Sequence, residues 1–229
     1  LLTFGTGALA QQKPAQTEAR MEREITVKVA LSYLVYLPQD YEKSDSRWPL
    51  VLFLHGAGET GSDLNRVKAH GPPKLVEAGK QFPFILISPQ APALGWRPEA
   101  LNALLDEVSE KYRVDPDRIY CTGLSMGGFG TWALAAAYPE RLAAIAPICG
   151  GGDPRSASRI KHIPAWVFHG AKDNLVPLAR SQEMVDALKA AGAEPKFTVY
   201  PEAGHDSWTE AYNTEELYTW LLSHRRAKR

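Results

Sequence analysis

No charge of one sign dominates this sequence, in which 26 Lys and Arg residues stand against 26 Asp and Glu. Without a surplus of cations there is no extended field to hold phosphate backbones or anionic lipid head groups, so nucleic acid is excluded as an expected partner. The one basic cluster, Arg225, Arg226, Lys228 and Arg229, reads as a solvated helix end, where cations are favourable, and is given no function. Cysteine is scarce: Cys121 and Cys149 are the 2 present. They lie far apart and have no His or Cys at ligand spacing, so neither a disulfide framework nor a metal site is expected. Each sits in a short apolar run, and burial as a small apolar filler is favoured over a disulfide between neighbouring strands. Beyond the first ten residues no apolar run approaches the roughly 18 residues that a membrane span needs. Repeats, low-complexity tracts and linkers are also missing.

What is there suits an ordinary globular chain: 229 residues, 45% hydrophobic and 23% charged, enough for one core without metal or disulfide support. Residues 1–10 are apolar or small and end in Ala8-Leu9-Ala10, the small-x-small form that signal peptidase recognises, so they read as a signal-peptide remnant. The protein is therefore expected to be secreted or periplasmic, with a mature start near Gln11. Residues 11–23 read as a flexible leader, and residues 24–229 as a single domain.

Ile25–Val29 and Ser32–Leu37 cluster β-formers and suggest an opening antiparallel pair. The runs Leu50–Leu54, Phe84–Ser88, Ile119–Thr122, Ala143–Ile148, Ala165–Phe168 and Lys196–Tyr200 have strand length. Between them Pro73–Gly79, Leu101–Tyr112, Phe129–Tyr138, Ala179–Ala191 and Thr214–Ser223 repeat apolar residues three or four apart, as helices do. Asp115 and Pro116 mark a turn before the third run. Short strands alternating with helices predict an α/β fold with a mostly parallel central sheet and helices on both faces. No insertion is long enough for a large lid.

Gly123-Leu124-Ser125-Met126-Gly127, followed by Gly128, stands between a predicted strand and a predicted helix. This is the setting of a nucleophile elbow, where a strained turn lifts a serine hydroxyl clear of the sheet. A serine needs a base. Of the six histidines, His205 in Ala203-Gly204-His205-Asp206 follows the last strand and precedes the last helix. His55 and His169 each precede a glycine at a strand end, where backbone roles are the more natural reading, and His70, His162 and His224 lie outside strand ends. The base in turn needs a carboxylate to hold its tautomer. Asp173, after the Ala165–Phe168 run, is favoured over Asp153 after the preceding strand and over the adjacent Asp206. Donors for a developing oxyanion are expected from the backbone N–H of Met126 and of Ala57, with Gly58 as second choice. The glycines of His55-Gly56-Ala57-Gly58-Glu59 are followed by no Lys-Ser or Lys-Thr pair, which argues against a phosphate-binding loop.

The motifs His55-Gly56-Ala57-Gly58-Glu59, Ser88-Pro89-Gln90, Gly123-Leu124-Ser125-Met126-Gly127-Gly128, Pro147-Ile148-Cys149-Gly150-Gly151 and His169-Gly170-Ala171-Lys172-Asp173 together resemble the α/β-hydrolase superfamily. Within it they are similar to the compact phospholipase/carboxylesterase and dienelactone-hydrolase-like branch, near polyhydroxybutyrate depolymerases and feruloyl esterases. The resemblance implies a core of about eight strands and a catalytic triad of Ser125, Asp173 and His205. The expected activity is serine carboxylesterase chemistry on short-chain or aryl and feruloyl esters, free or linked to polysaccharide, with neither metal nor organic cofactor. Trp96 and Trp208 are candidate substrate walls, whereas Trp132 reads as core. Two alternatives stand beside this: a prolyl-oligopeptidase-type peptidase, which normally carries a gating domain for which this sequence has no room, and a non-catalytic binding protein on a hydrolase fold.

Overall fold

The computed structural model describes residues 18–226 except 25, 27 and 44. The expected signal-peptide remnant, residues 1–10, lies outside the described residues, as does most of the leader; residues 18–23 are exposed and have no regular secondary structure.

The strands are β1 (Ser32–Tyr36), β2 (Trp48–Leu54), β3 (Ile85–Gln90), β4 (Val114–Leu124), β5 (Ala144–Ile148), β6 (Trp166–Gly170) and β7 (Lys196–Tyr200). They form one sheet in the order β1-β3-β2-β4-β5-β6-β7, with β1 antiparallel to β3 and every other pair parallel. The fold class is as the sequence predicts, but among the described residues the sheet has 7 strands, where about eight are expected. The expected opening hairpin is replaced by a pairing distant in sequence, Leu34 opposite Ser88. Of the residues before it, Thr26, Lys28 and Val29 belong to no strand, and 25 and 27 lie outside the described residues.

Parallel strands buried on both faces read as continuous apolar runs, and β2 shows why. Leu50, Leu52 and Leu54 enter the core on one face while Val51 and Phe53 enter it on the other. The first face is covered by α2 (Pro98–Lys111) through Leu101, Leu105 and Val108, by α3 (Met126–Ala137) through Trp132 and Leu134, and by α5 (Ala179–Ala190) through Met184, Val185 and Leu188. The second is covered by α1 (Gly71–Glu77), α6 (Trp208–Asn213) and α7 (Glu215–Ser223), chiefly through Tyr212, Leu217, Tyr218 and Leu221. The short α4 (Ala157–Ile160) closes the first face beside α5. Trp132 is buried core, 1% exposed. Both cysteines are free and buried.

Two local expectations are corrected. Asp115 and Pro116 lie inside β4, whose pairing with β2 jumps from Val114–Trp48 to Ile119–Leu50, so the turn-forming residues are taken up as a bulge. Arg225 and Arg226 are not a merely solvated helix end: past the end of α7 they reach Asp115 at 3.1 Å and Asp117 at 3.0 Å, and Arg226 N–H donates to Asp117 O. Among the described residues no helix is long and apolar enough to cross a membrane.

Candidate active site

The C-terminal ends of β4, β6 and β7 meet at one edge of the sheet, where ligands of open α/β sheets bind. At the end of β4 the chain turns through Ser125, with φ 52° and ψ −115°, before α3 begins at Met126. A non-glycine residue with positive φ is strained. The turn survives because its neighbours lack side chains: a Cβ on Gly127 would stand 1.9 Å from Leu54 O, and one on Gly123 would stand 2.5 Å from Gly127 O. Gly127→Ala is therefore expected to cost about 3 kcal/mol of stability, seen as a lower urea midpoint. An unchanged midpoint would show that the elbow has room to spare.

The loops after β6 and β7 are laced together. Ala171 N donates to Tyr200 O and Lys172 N to Ala203 O, both at 2.9 Å. Gly170 permits this approach, since a Cβ there would lie 2.1 Å from Gly204 O. The lacing sets Asp173 beside His205. His205 Nδ1 lies 2.7 Å from Asp173 Oδ2, and His205 Nε2 lies 2.9 Å from Ser125 Oγ. Three side chains separated in sequence thus stand in one hydrogen-bonded series. Asp153 is elsewhere, exposed and paired with Arg155 at 2.9 Å.

Burial pushes the Asp173 carboxyl upward, but hydrogen bonds from His205 and from the backbone N–H groups of Val176 and Leu175 outweigh it, and the net shift is down. The carboxylate is therefore ionised when it faces His205. Its contribution to stability is complete above the unfolded carboxyl's range and is lost as pH falls through the lower folded value.

Met126 and Ala57 are the first residues of α3 and of a short 3-10 turn, Ala57–Glu59, so neither N–H has an acceptor inside its own helix. The loop carrying Ala57 is held from outside: Gln90 Nε2 donates to Glu59 O and Asp63 O, and Arg66 to Thr60 O and Gly58 O. Gln90 closes the Ser88-Pro89-Gln90 motif, but nothing in the sequence assigns it these contacts. Gly95, Trp96, Ser125, Met126, Phe129, Gly130 and Ala133 line an open cavity of about 430 Å³. Trp96 thus shares a wall with Ser125, its indole N–H donating to His55 O. Trp208 is not part of this lining but stands edge-on to the His205 ring, with centroids 5.2 Å apart.

The two histidines assigned backbone roles are corrected, since both use their rings. His55 Nδ1 donates to Gly56 O at 2.6 Å and its Nε2 accepts from Ala91 N at 3.0 Å; burial lowers its pKa and so preserves the neutral form that this acceptor role requires. The His169 ring bonds Ser181 Oγ and Val176 O. Cys149 Sγ, the Asp173 carboxylate and the His205 imidazole each place a ligating atom within 4.8 Å of the others, the one group among the described residues able to hold a metal ion. Burial pushes the Cys149 thiol up to about 12.

Sheet order, strained elbow and flanking helices define an α/β-hydrolase. The profile of the dienelactone hydrolase family matches residues 96–216, and the chain belongs to that family. A thermostable esterase of solved structure is 34% identical, with a TM-score of 0.75 over 86% of this chain and 60% of the other. Poly(3-hydroxyalkanoate) depolymerase C of Paucimonas lemoignei is 33% identical over 121 residues, 45% of this chain and 28% of that protein. The bifunctional acetylxylan esterase/xylanase XynS20E of Neocallimastix patriciarum is 26% identical over 125 residues, 52% of this chain and 17% of that protein. The chain therefore spans less than half the length of either of these curated relatives.

Proposed function

We propose that this chain is a serine carboxylic-ester hydrolase working through an acyl-enzyme, with Ser125 as nucleophile, His205 as general base and Asp173 as the carboxylate that orients it. The observation that carries the reading is the series from Ser125 Oγ through His205 to Asp173 Oδ2, with links of 2.9 and 2.7 Å. Ser125 Oγ attacks the ester carbonyl while His205 Nε2 takes its proton, and Asp173 stabilises the imidazolium. The N–H groups of Met126 and Ala57 receive the oxyanion. His205 returns the proton to the departing alcohol, and water then repeats the sequence to release the acid and restore Ser125.

For the substrate, the open apolar cavity bounded by Trp96 and Phe129 favours short acyl or aryl groups, including feruloyl, over long lipid chains. Esterase and acetylxylan esterase names among the relatives support ester bonds, free or attached to polysaccharide. We extend the proposal to an exported protein, on the small-x-small pattern of residues 8–10, and assign Trp208 to the substrate side of His205. No metal or organic cofactor enters the scheme.

The test is hydrolysis of p-nitrophenyl acetate followed across pH. kcat/KM is expected to fall on the acid side as His205 takes up a proton, because an imidazolium cannot accept one from Ser125. An inert protein favours a binding role, and a profile flat down to about pH 4 removes the imidazole from the mechanism. Acetyl, butyryl, feruloyl and polyhydroxybutyrate esters compared on one preparation rank the acyl preference.

A further inference from the structure

We propose that His169 is a positioning residue: its ring fixes the loop from Asp173 to Val176 so that Asp173 Oδ2 stays aimed at His205. This rests on the roles assigned above to Ser125, His205 and Asp173.

His169 lies in β6 and is 0% exposed, so each ring nitrogen must find its partner inside the protein. Nε2 is 2.9 Å from Val176 O. A carbonyl can only accept, so Nε2 carries a hydrogen. Nδ1 is 2.7 Å from Ser181 Oγ, a contact that ties the ring to α5.

Val176 connects the ring to the carboxylate. Its carbonyl is held by His169, while its N–H, with that of Leu175, donates to Asp173 Oδ1 at 2.9 Å. A displaced ring therefore releases the residue that holds the carboxylate. The same Nε2 stands 3.3 Å from Asp173 Oδ2, the oxygen facing His205, and both side chains are fully buried. The other titratable groups at this place are His205 itself, Asp206 next to it in sequence and Cys149, whose thiol burial keeps neutral.

Three variants separate positioning from packing: His169→Leu removes the donor, His169→Gln keeps an amide N–H near the Nε2 position, and Ser181→Ala frees the ring. Active sites are titrated with a fluorophosphonate, and kcat per titrated site and the pH profile are then measured with p-nitrophenyl acetate. His169→Leu is expected to lose about 30-fold in kcat with KM little changed. The acid limb of its kcat/KM profile should move to lower pH, because a carboxylate no longer held toward His205 stabilises the imidazolium less. His169→Gln should restore most of kcat and the original limb, and Ser181→Ala should shift both quantities in the direction of His169→Leu by less. A His169→Leu protein with wild-type kcat per site and an unmoved limb overturns the proposal. So does a His169→Gln protein as impaired as His169→Leu, since ring shape would then be the cause. If His169→Leu does not fold, the other two variants decide: the proposal fails if Ser181→Ala leaves both kcat per site and limb at wild-type values, or if His169→Gln alters them strongly. Wild type that takes no fluorophosphonate at Ser125 defeats the functional reading itself, and this inference with it, before any variant is compared.

Discussion

Ser125→Ala is expected to lower kcat for p-nitrophenyl acetate by roughly 10⁴ to 10⁶ while leaving the protein folded. The substitution removes the hydroxyl oxygen that stands 2.9 Å from His205 Nε2, so no acyl-enzyme can form on it. It keeps the Cβ, and the backbone at φ 52° asks no more of alanine than of serine. The thermal midpoint should therefore stay within a few degrees of wild type, which separates lost chemistry from lost structure. Residual rate would come from the backbone donors of Met126 and Ala57 acting on water attack. A variant that retains a tenth or more of the wild-type rate would falsify the assignment of the nucleophile.

Asp173→Asn should cost roughly 10³ to 10⁴ in kcat, and the hydrogen bonds around it explain why so small a change is so damaging. Oδ1 accepts from Leu175 and Val176 N–H groups. These donors oblige an asparagine to keep its carbonyl oxygen there and to turn its NH₂ toward His205. The NH₂ then faces Nδ1 as a donor, so the neutral imidazole must carry its proton on Nε2, where it opposes Ser125 instead of accepting from it. The loop survives and the tautomer is wrong. Asp153→Asn is the control: that carboxylate is exposed and bonded to Arg155, so activity should change less than about twofold. If Asp153→Asn proved the more damaging change, the acid would be misassigned.

The elbow was legible in the sequence because sterics leave it little freedom: glycines at 123 and 127 are required wherever backbone atoms approach this closely. Asp173 and His205 could be inferred from chain order once Ser125 was placed, since the strands of a parallel sheet all end on one edge and their outgoing loops gather there. Ser32–Tyr36 reads correctly as a strand but its partner does not, because it pairs with β3, fifty or more residues on, and local pattern carries no trace of so distant a pairing. Trp208–Asn213 was missed as a helix because its six residues are too few to show a period. The role of the His169 ring is hidden for another reason. A histidine closing an apolar run looks like the end of a strand, and its ring's partners are contributed by Val176 and by Ser181 on a helix that the run does not announce.

The nucleophile and its base are mounted on unequal supports. Ser125 springs from β4, with strands on both sides, whereas His205 comes after β7, which among the described residues is the outermost strand on its side and pairs with β6 alone. Warming should loosen that border first, carrying the imidazole away from a hydroxyl that has not yet moved. Catalysis is thus expected to fail at a temperature where the central sheet still stands, and to return on cooling.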